Sequence, residues 1–195
     1  MCGIAGWVNF SESLKSNSKI IKKMTDILER RGPDSEGIYE SENVLLGHRR
    51  LIVVDPEGGE QPMIKIINGN KYVLVYNGEL YNTEELRKSL LEEGYFFDSY
   101  SDTEVLLMSY IAWGVNCIKK FNGIFAFAIY DEEKEQVFLA RDQMGVKPLF
   151  YSINNKNIIK KENEFMLLFI LGLFLGANLS LFLYACILAG KKSDE

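Results

Sequence analysis

From Met166 to Ala189 the chain runs 24 residues without a charged side chain, interrupted only by Gly172, Gly176, Asn178 and Ser180. As a helix such a run would be about 36 Å long, against a hydrocarbon thickness of about 30 Å. A buried core helix is the alternative, but core helices are usually shorter and carry some polar face. The run therefore predicts a membrane span. Gly172 and Gly176 form a small-xxx-small pair that fits a helix-packing face, although ordinary membrane composition explains it equally well.

The rest of the 195-residue chain reads differently, with short alternating apolar stretches broken by turns. The organisation expected is a soluble body (1–155), a polar linker (156–164), a transmembrane helix (165–190) and a short polar tail (191–195). A net charge of -5 argues against a nucleic-acid surface. Three scattered cysteines (Cys2, Cys117, Cys186) and the lone His48 leave no disulfide framework and no metal cluster. Neither a metal nor a cofactor is expected. The first residues carry no basic segment and no long apolar run, so no secretory signal is read there.

Within the body, Cys2–Phe10 reads as a strand. Ile20, Ile21, Met24, Ile27 and Leu28 follow at helical spacing behind Ser18, and Gly32-Pro33 stops that helix. Strands are expected at Val44–Leu51, Met63–Ile67 and Tyr72–Tyr76, the last two joined across Asn68-Gly69. Asn82 with Glu85 fits a helix start, with Leu86, Leu90 and Leu91 on one face and Gly94 at the end. A further helix is read from Thr103 to Trp113, then a strand pair at Ile124–Tyr130 and Gln136–Ala140. Hairpins with intervening helices make an antiparallel α+β domain. Gly58-Gly59 lacks the Lys-Ser/Thr of a phosphate loop and reads as a surface turn.

Cys2 follows the initiator methionine directly. Loss of Met1 would leave one residue bearing a thiol and an α-amine of pKa about 7.7–8.0, able to serve as nucleophile and base together. By itself a cysteine at position 2 is weak support for catalysis, since most such thiols are inert.

The surrounding residues strengthen the case. Met1-Cys2-Gly3-Ile4-Ala5-Gly6 resembles the opening of the class II glutamine amidotransferases, a branch of the N-terminal-nucleophile (Ntn) hydrolases. The resemblance continues in order through Arg31-Gly32-Pro33-Asp34, Leu46-Gly47-His48-Arg49-Arg50-Leu51, Gly59-Glu60-Gln61-Pro62, Tyr76-Asn77-Gly78-Glu79-Leu80-Tyr81-Asn82 and Ser101-Asp102-Thr103-Glu104. It closes with the run from Phe121-Asn122-Gly123 to Tyr130-Asp131 and with Arg141-Asp142 through Lys147-Pro148-Leu149. The Arg31-Gly32-Pro33-Asp34 block and the Lys147-Pro148-Leu149 ending are similar to the glutaminase domain of glutamine-hydrolysing asparagine synthetases.

That resemblance implies a four-layer α/β/β/α sandwich of antiparallel sheets and a reaction with glutamine. Cys2 would attack the side-chain amide and form a thioester. Asn77 and Gly78 match the oxyanion donors, Arg50 the grip on the α-carboxylate, and Asp102 the partner of the α-ammonium. Backbone groups of Leu51, Ile52, Val53 and Val54, and Glu79, complete the glutamine pocket. Taken one at a time, Arg50 could be a surface cation, Asn77-Gly78 a turn and Asp102 a helix cap. His48 reads as structural, and Cys117 and Cys186 as buried apolar residues.

The resemblance stops near residue 159. Where the family has Phe-Ala-Ser-Glu this chain has Lys160-Lys161-Glu162-Asn163, so the last strand of the sheet is expected to be cut short. Nothing beyond resembles the family's ATP- and aspartate-binding domain, so the chain reads as a truncated glutaminase half joined to an unrelated span. Asparagine synthesis is not expected of it alone, and a separate synthetase would accept the ammonia. The competing readings are a non-catalytic glutamine- or partner-binding module on a membrane, and a decayed gene-fusion product. Lys147, Lys156, Lys160 and Lys161 before the span outnumber Lys191 and Lys192 after it, which places the body in the cytoplasm of a single-pass arrangement.

Overall fold

Strand β1 (Gly3–Asn9) lies inside a sheet, with a neighbouring strand on either side, and its almost wholly apolar segment is largely buried. The structure, a computed structural model, describes residues 1–53, 55, 58–153 and 166–169. The elements that follow are α1 (Ser18–Ile27), β2 (Ser35–Glu40), β3 (Val44–Arg50), β4 (Met63–Ile67), β5 (Asn70–Leu80), α2 (Thr83–Glu92), α3 (Asp102–Trp113), β6 (Gly123–Asp131), β7 (Gln136–Arg141), β8 (Ser152–Ile153) and β9 (Met166–Phe169). One sheet has the order β2-β3-β1-β9-β8 and the other β4-β5-β6-β7, and every pairing is antiparallel.

Period-two alternation assigns the faces. A Cβ on Gly3 would sit 2.9 Å from Leu28 and one on Gly47 would sit 2.5 Å from the Thr25 hydroxyl, so residues 3, 5, 7 of β1 and 45, 47, 49 of β3 face α1. The other set, Ile4 and Val8 with Leu46 and His48, turns inward. It packs against Val73, Val75, Ala128, Tyr130, Val137 and Leu139 of the second sheet. Leu74, Tyr76, Phe127, Phe138 and Ala140 lie on the opposite face of that sheet, under α2 and α3. The result is the expected layering of helix, sheet, sheet and helices.

Local chemistry sets the element boundaries. Asn68 and Gly69 have φ of 54° and 86°, the pair of left-handed residues that a two-residue hairpin turn requires. Ser101 caps α3 by accepting the Glu104 amide at 3.2 Å. The helix that follows is buried nearly all round, Thr103 to Tyr110 included, and hence shows no amphipathic stripe. In α2 only Leu86 and Leu90 are buried. Leu91, five residues on from Leu86 and so about 140° round the helix, is half exposed. In α1 the buried stripe is Ile21 and Thr25, continued by Leu28 at its C-terminal cap, leaving Ile20 and Ile27 outside it.

Two expectations are corrected. Strand β2 was not read from the sequence, because Ser35-Glu36-Gly37 shows no apolar alternation. It forms because it pairs with β3 over Ser35–Glu40. The apolar run is not helical at its start: Met166–Phe169 is a strand hydrogen-bonded between β1 and β8. A short continuous apolar stretch cannot be told from a buried strand by periodicity, and β1 has a free edge that needs pairing. Lys160-Lys161-Glu162-Asn163, where the last strand is expected to be cut short, lie outside the described residues. Among the described residues no helix is long and apolar enough to cross a membrane. The remainder of the expected linker, span and tail, with Cys186, lies outside the described residues.

Gly32, just past α1, is pressed against β3. A Cβ there would lie 2.3 Å from the Arg49 carbonyl carbon and oxygen, both backbone atoms. Gly32→Ala is accordingly expected to destabilise the fold by about 1–3 kcal/mol through overpacking, read as a lowered urea midpoint at unchanged slope.

Candidate active site

The two sheets part at the end where β1 begins, leaving a cleft of about 170 Å³. Cys2, Arg50, Leu51, Val53, Asn77, Gly78, Glu79 and Asp102 all line it, so the fold brings together residues from four separate stretches of sequence. Ile52 is not among the lining residues. Its amide is taken by the Asp34 carboxylate at 2.7 Å, which anchors the chain as it leaves β3. Val54 lies outside the described residues.

Alternation puts Cys2 on the inward face with Ile4, and Arg50 on the same face with His48. The Cys2 thiol is half buried; it donates to the Leu51 carbonyl at 3.6 Å and accepts the Leu51 amide at 3.4 Å. The Arg31 Nε–H donates to the Cys2 carbonyl at 3.3 Å, fixing the backbone behind the nucleophile. Arg50 is 5% exposed, and its Nη2 donates to the Asp55 carbonyl at 2.6 Å. Gly59, expected in a surface turn, is buried: its Cβ would meet the Arg50 guanidinium at 2.4 Å.

The hydrogen bonding of β5 explains why Asn77-Gly78 is special. β4 pairs with β5 only as far as Met63 opposite Leu74. Beyond that point the β5 groups aimed at β4 need other partners. The Tyr76 amide donates to the Gln61 side-chain carbonyl at 2.6 Å, and the Leu80 amide to the Asp102 carboxylate at 3.2 Å. The Gly78 N–H, on the same edge between them, faces the cleft. Asn77 points to the inward side and is 2% exposed, yet its Nδ2 finds no acceptor within the protein. A buried donor left so costs about 1–3 kcal/mol, which fits an acceptor brought in by a ligand. Gly78 admits no side chain, since a Cβ would lie 2.4 Å from the Ile124 carbonyl oxygen.

Asp102 opens α3 but does not cap it; Ser101 does. Its carboxylate accepts the Tyr76 hydroxyl at 2.8 Å as well as the Leu80 amide. Burial raises its pKa above the ordinary value, and the hydrogen bonds from Tyr76, Leu80 and Thr103 offset part of that rise. Burial also holds the Tyr76 hydroxyl well above its usual pKa, helped by the adjacent Asp102 charge, so it remains a donor. The Lys147 ammonium enters the cleft and donates to Met1 Sδ at 3.0 Å. Lys147, Arg31 and Gln61 were missed as site residues, although all three lie within blocks that carried the resemblance. The role of each depends on contacts across the fold.

His48 is fully buried, and its Nε2–H donates to the Tyr76 carbonyl at 3.1 Å. Burial pushes its pKa down to about 4. No other role is needed to account for it: it supports β5 from behind. Among the described residues no cluster of His, Cys, Asp and Glu could hold a metal ion.

The paired antiparallel sheets with outer helices define an Ntn-hydrolase-like α+β fold. Two solved structures share it: the glutamine phosphoribosylpyrophosphate amidotransferase from B. subtilis complexed with ADP and GMP (TM-score 0.64, 19% identity) and an allosteric regulatory enzyme of purine biosynthesis (TM-score 0.65, 20% identity), each matched over 86% of this chain and 41% of the other. The glutamine amidotransferase domain family model matches residues 1–169, and the chain belongs to that family. It is 53% identical over 152 residues to asparagine synthetase [glutamine-hydrolyzing] 3 of Bacillus subtilis (strain 168), and 37% over 150 residues to asparagine synthetase B of Escherichia coli (strain K12). These alignments cover 78% and 77% of this chain but 25% and 26% of the relatives, so the chain spans about a quarter of their length. The family match passes residue 159, where the sequence resemblance was read to stop, and takes in β9.

Neutral His48 gives the fold a pH dependence. Its folded pKa of about 4 lies below the ordinary 6.5, so its contribution is complete above pH 6.5 and is lost as pH falls through 6.5 towards 4. Unfolding free energy is expected to drop by about 3 kcal/mol more over that interval than in His48→Gln, measured by urea titration at each pH.

Proposed function

We propose that the chain hydrolyses glutamine to glutamate and ammonia through a Cys2 thioester. The observation that carries the reading is the buried Asn77 Nδ2 without an acceptor, lining one cleft with Gly78 and the Cys2 thiol. Removal of Met1 frees the Cys2 α-amine, which takes the thiol proton. The sulfur attacks the amide carbon of glutamine, and the carbonyl oxygen becomes an oxyanion between Asn77 and Gly78. Collapse of that intermediate breaks the C–N bond, and the α-ammonium returns its proton to the leaving nitrogen as ammonia. Water then attacks the thioester with the same amine as base, releasing glutamate and the thiol.

Recognition follows from charge. Arg50 presents a planar guanidinium to the substrate α-carboxylate, and Asp102 a carboxylate to its α-ammonium. Leu51, Val53 and Glu79 frame the chain between them. Because the relatives are named asparagine synthetases, we assign the ammonia to asparagine formation by a synthetase activity outside the matched residues.

Cys2→Ala is expected to abolish glutamate release, whereas full activity in that variant overturns the mechanism. Asn77→Ala should lower kcat by about 10²–10³, the usual cost of an oxyanion donor. Since the raised pKa of Asp102 keeps it protonated to higher pH than a free carboxylate, KM for glutamine should climb as pH falls through that pKa.

The rest of the uncharged run carries a second proposal. Residues 170–189 are enough to cross a bilayer as a helix of about 30 Å, and the excess of lysines before the run over those after it supports a cytoplasmic body. Protease added to intact cells should leave the body intact, and its digestion from outside reverses the assignment.

A further inference from the structure

Glu104 stands in the first turn of α3, 1% exposed, and the chemistry described above does not use it. A buried carboxylate is costly unless it is paired and fully hydrogen-bonded. Here every lone-pair direction is engaged. Oε1 accepts the Asp98 amide at 2.8 Å and the Lys65 ammonium. Oε2 accepts the Ser99 amide at 2.7 Å and the Ser99 hydroxyl at 2.6 Å. Four donors from a strand and a loop are thereby held to a helix.

The loop so held leads into the site. The Ser101 amide donates to the Ser99 hydroxyl at 3.4 Å, and the Ser101 hydroxyl donates to the Gly58 carbonyl at 3.3 Å. Next to it the Tyr100 amide donates to the Asp55 carboxylate at 3.2 Å, whose other oxygen takes the Gly58 amide at 2.8 Å. Asp55 has φ of 48°, a left-handed conformation that an aspartate tolerates when its side chain is held locally. It presents its carbonyl to Arg50 Nη2 at 2.6 Å. Glu104 is thus linked through the 98–101 loop and the Asp55 turn to the guanidinium of Arg50, and through its own helix to Asp102.

We propose that Glu104 is the positioning residue for the amino-acid end of the cleft, fixing Arg50 relative to Asp102 so that a carboxylate and an ammonium on one carbon are gripped together. The proposal rests on Arg50 as the carboxylate grip. Glu104 touches no substrate and acts only through the Ser99–Asp55 relay. A purely structural staple of β4 to α3 would weaken every ligand alike, which separates the two roles.

The test is glutamine binding by titration calorimetry, on the full chain with Cys2→Ala to prevent turnover. Glu104→Gln, which cannot accept all four donors, is expected to raise Kd for glutamine about tenfold. Glutamine with its α-carboxylate amidated, which gives Arg50 nothing to hold, should bind Glu104→Gln and its parent within about twofold. Adding Glu104→Gln to Arg50→Ala should cost nothing further, a non-additivity expected of one relay. Ser99→Ala, which breaks the relay but keeps the Glu104 charge, should show the same ligand dependence with a several-fold rise in Kd, even where Glu104→Gln fails to fold. Equal losses for both ligands, full additivity with Arg50→Ala, or unchanged glutamine affinity in both relay variants overturns the positioning role. An Arg50→Ala variant that binds glutamine as well as its parent overturns instead the assignment of Arg50, and the relay with it.

Discussion

The early end of β4 is the constraint on which the site depends. An antiparallel ladder uses up every backbone donor along a shared edge, and a strand paired along its whole length offers nothing to a ligand. β5 runs to Leu80, but its β4 partner reaches only as far as Leu74. The edge released is then filled selectively: Gln61 takes the Tyr76 amide, Asp102 takes the Leu80 amide, and His48 donates to the Tyr76 carbonyl. What remains open is one amide, at Gly78, beside one side-chain donor, Asn77. Three polar side chains, Gln61 from the loop before β4, Asp102 from α3 and the buried His48 from β3, keep that opening one residue wide.

The nucleophile arrives by a different route. β1 pairs with β3 from Gly3 onward and with β9 from Gly6, so Cys2 enters the cleft from the β3-paired end of the central strand. Its backbone is held by Arg31 and its thiol by Leu51. Site precision of this kind comes from strands and buried hydrogen bonds rather than from loops. Where a loop does contribute, it is tied down: Ile52 by Asp34, Asp55 by Arg50 and Gly58 by Ser101.

Electrostatics divides along the same lines. Tyr76 touches both His48 and Asp102, the first two buried and Asp102 partly so, and burial pushes each towards its neutral form. His48 and Tyr76 have only uncharged work to do, holding β5 and Asp102. Asp102 alone has three hydrogen bonds to support its charge, and with Tyr76 it lines the cleft.

Much of this was legible in the residues alone. Strand and helix positions followed from alternation and from Asn68-Gly69, and Cys2, Arg50, Asn77, Gly78 and Asp102 could be named from their order in matched blocks. Those signals are local or linear, which is why one sequence carries them. Other features are decided only by what lies across the fold. Met166–Phe169 is apolar enough for a membrane helix, and pairing with the open edge of β1 makes it a strand. Gly59 reads as a turn, yet the Arg50 guanidinium leaves its Cα no room for a side chain. Asp102 reads as a helix cap, but Ser101 takes that place and frees its carboxylate. Residue order is written in the chain, whereas which donor or edge is left unsatisfied depends on partners tens of residues away and is settled when the sheets close.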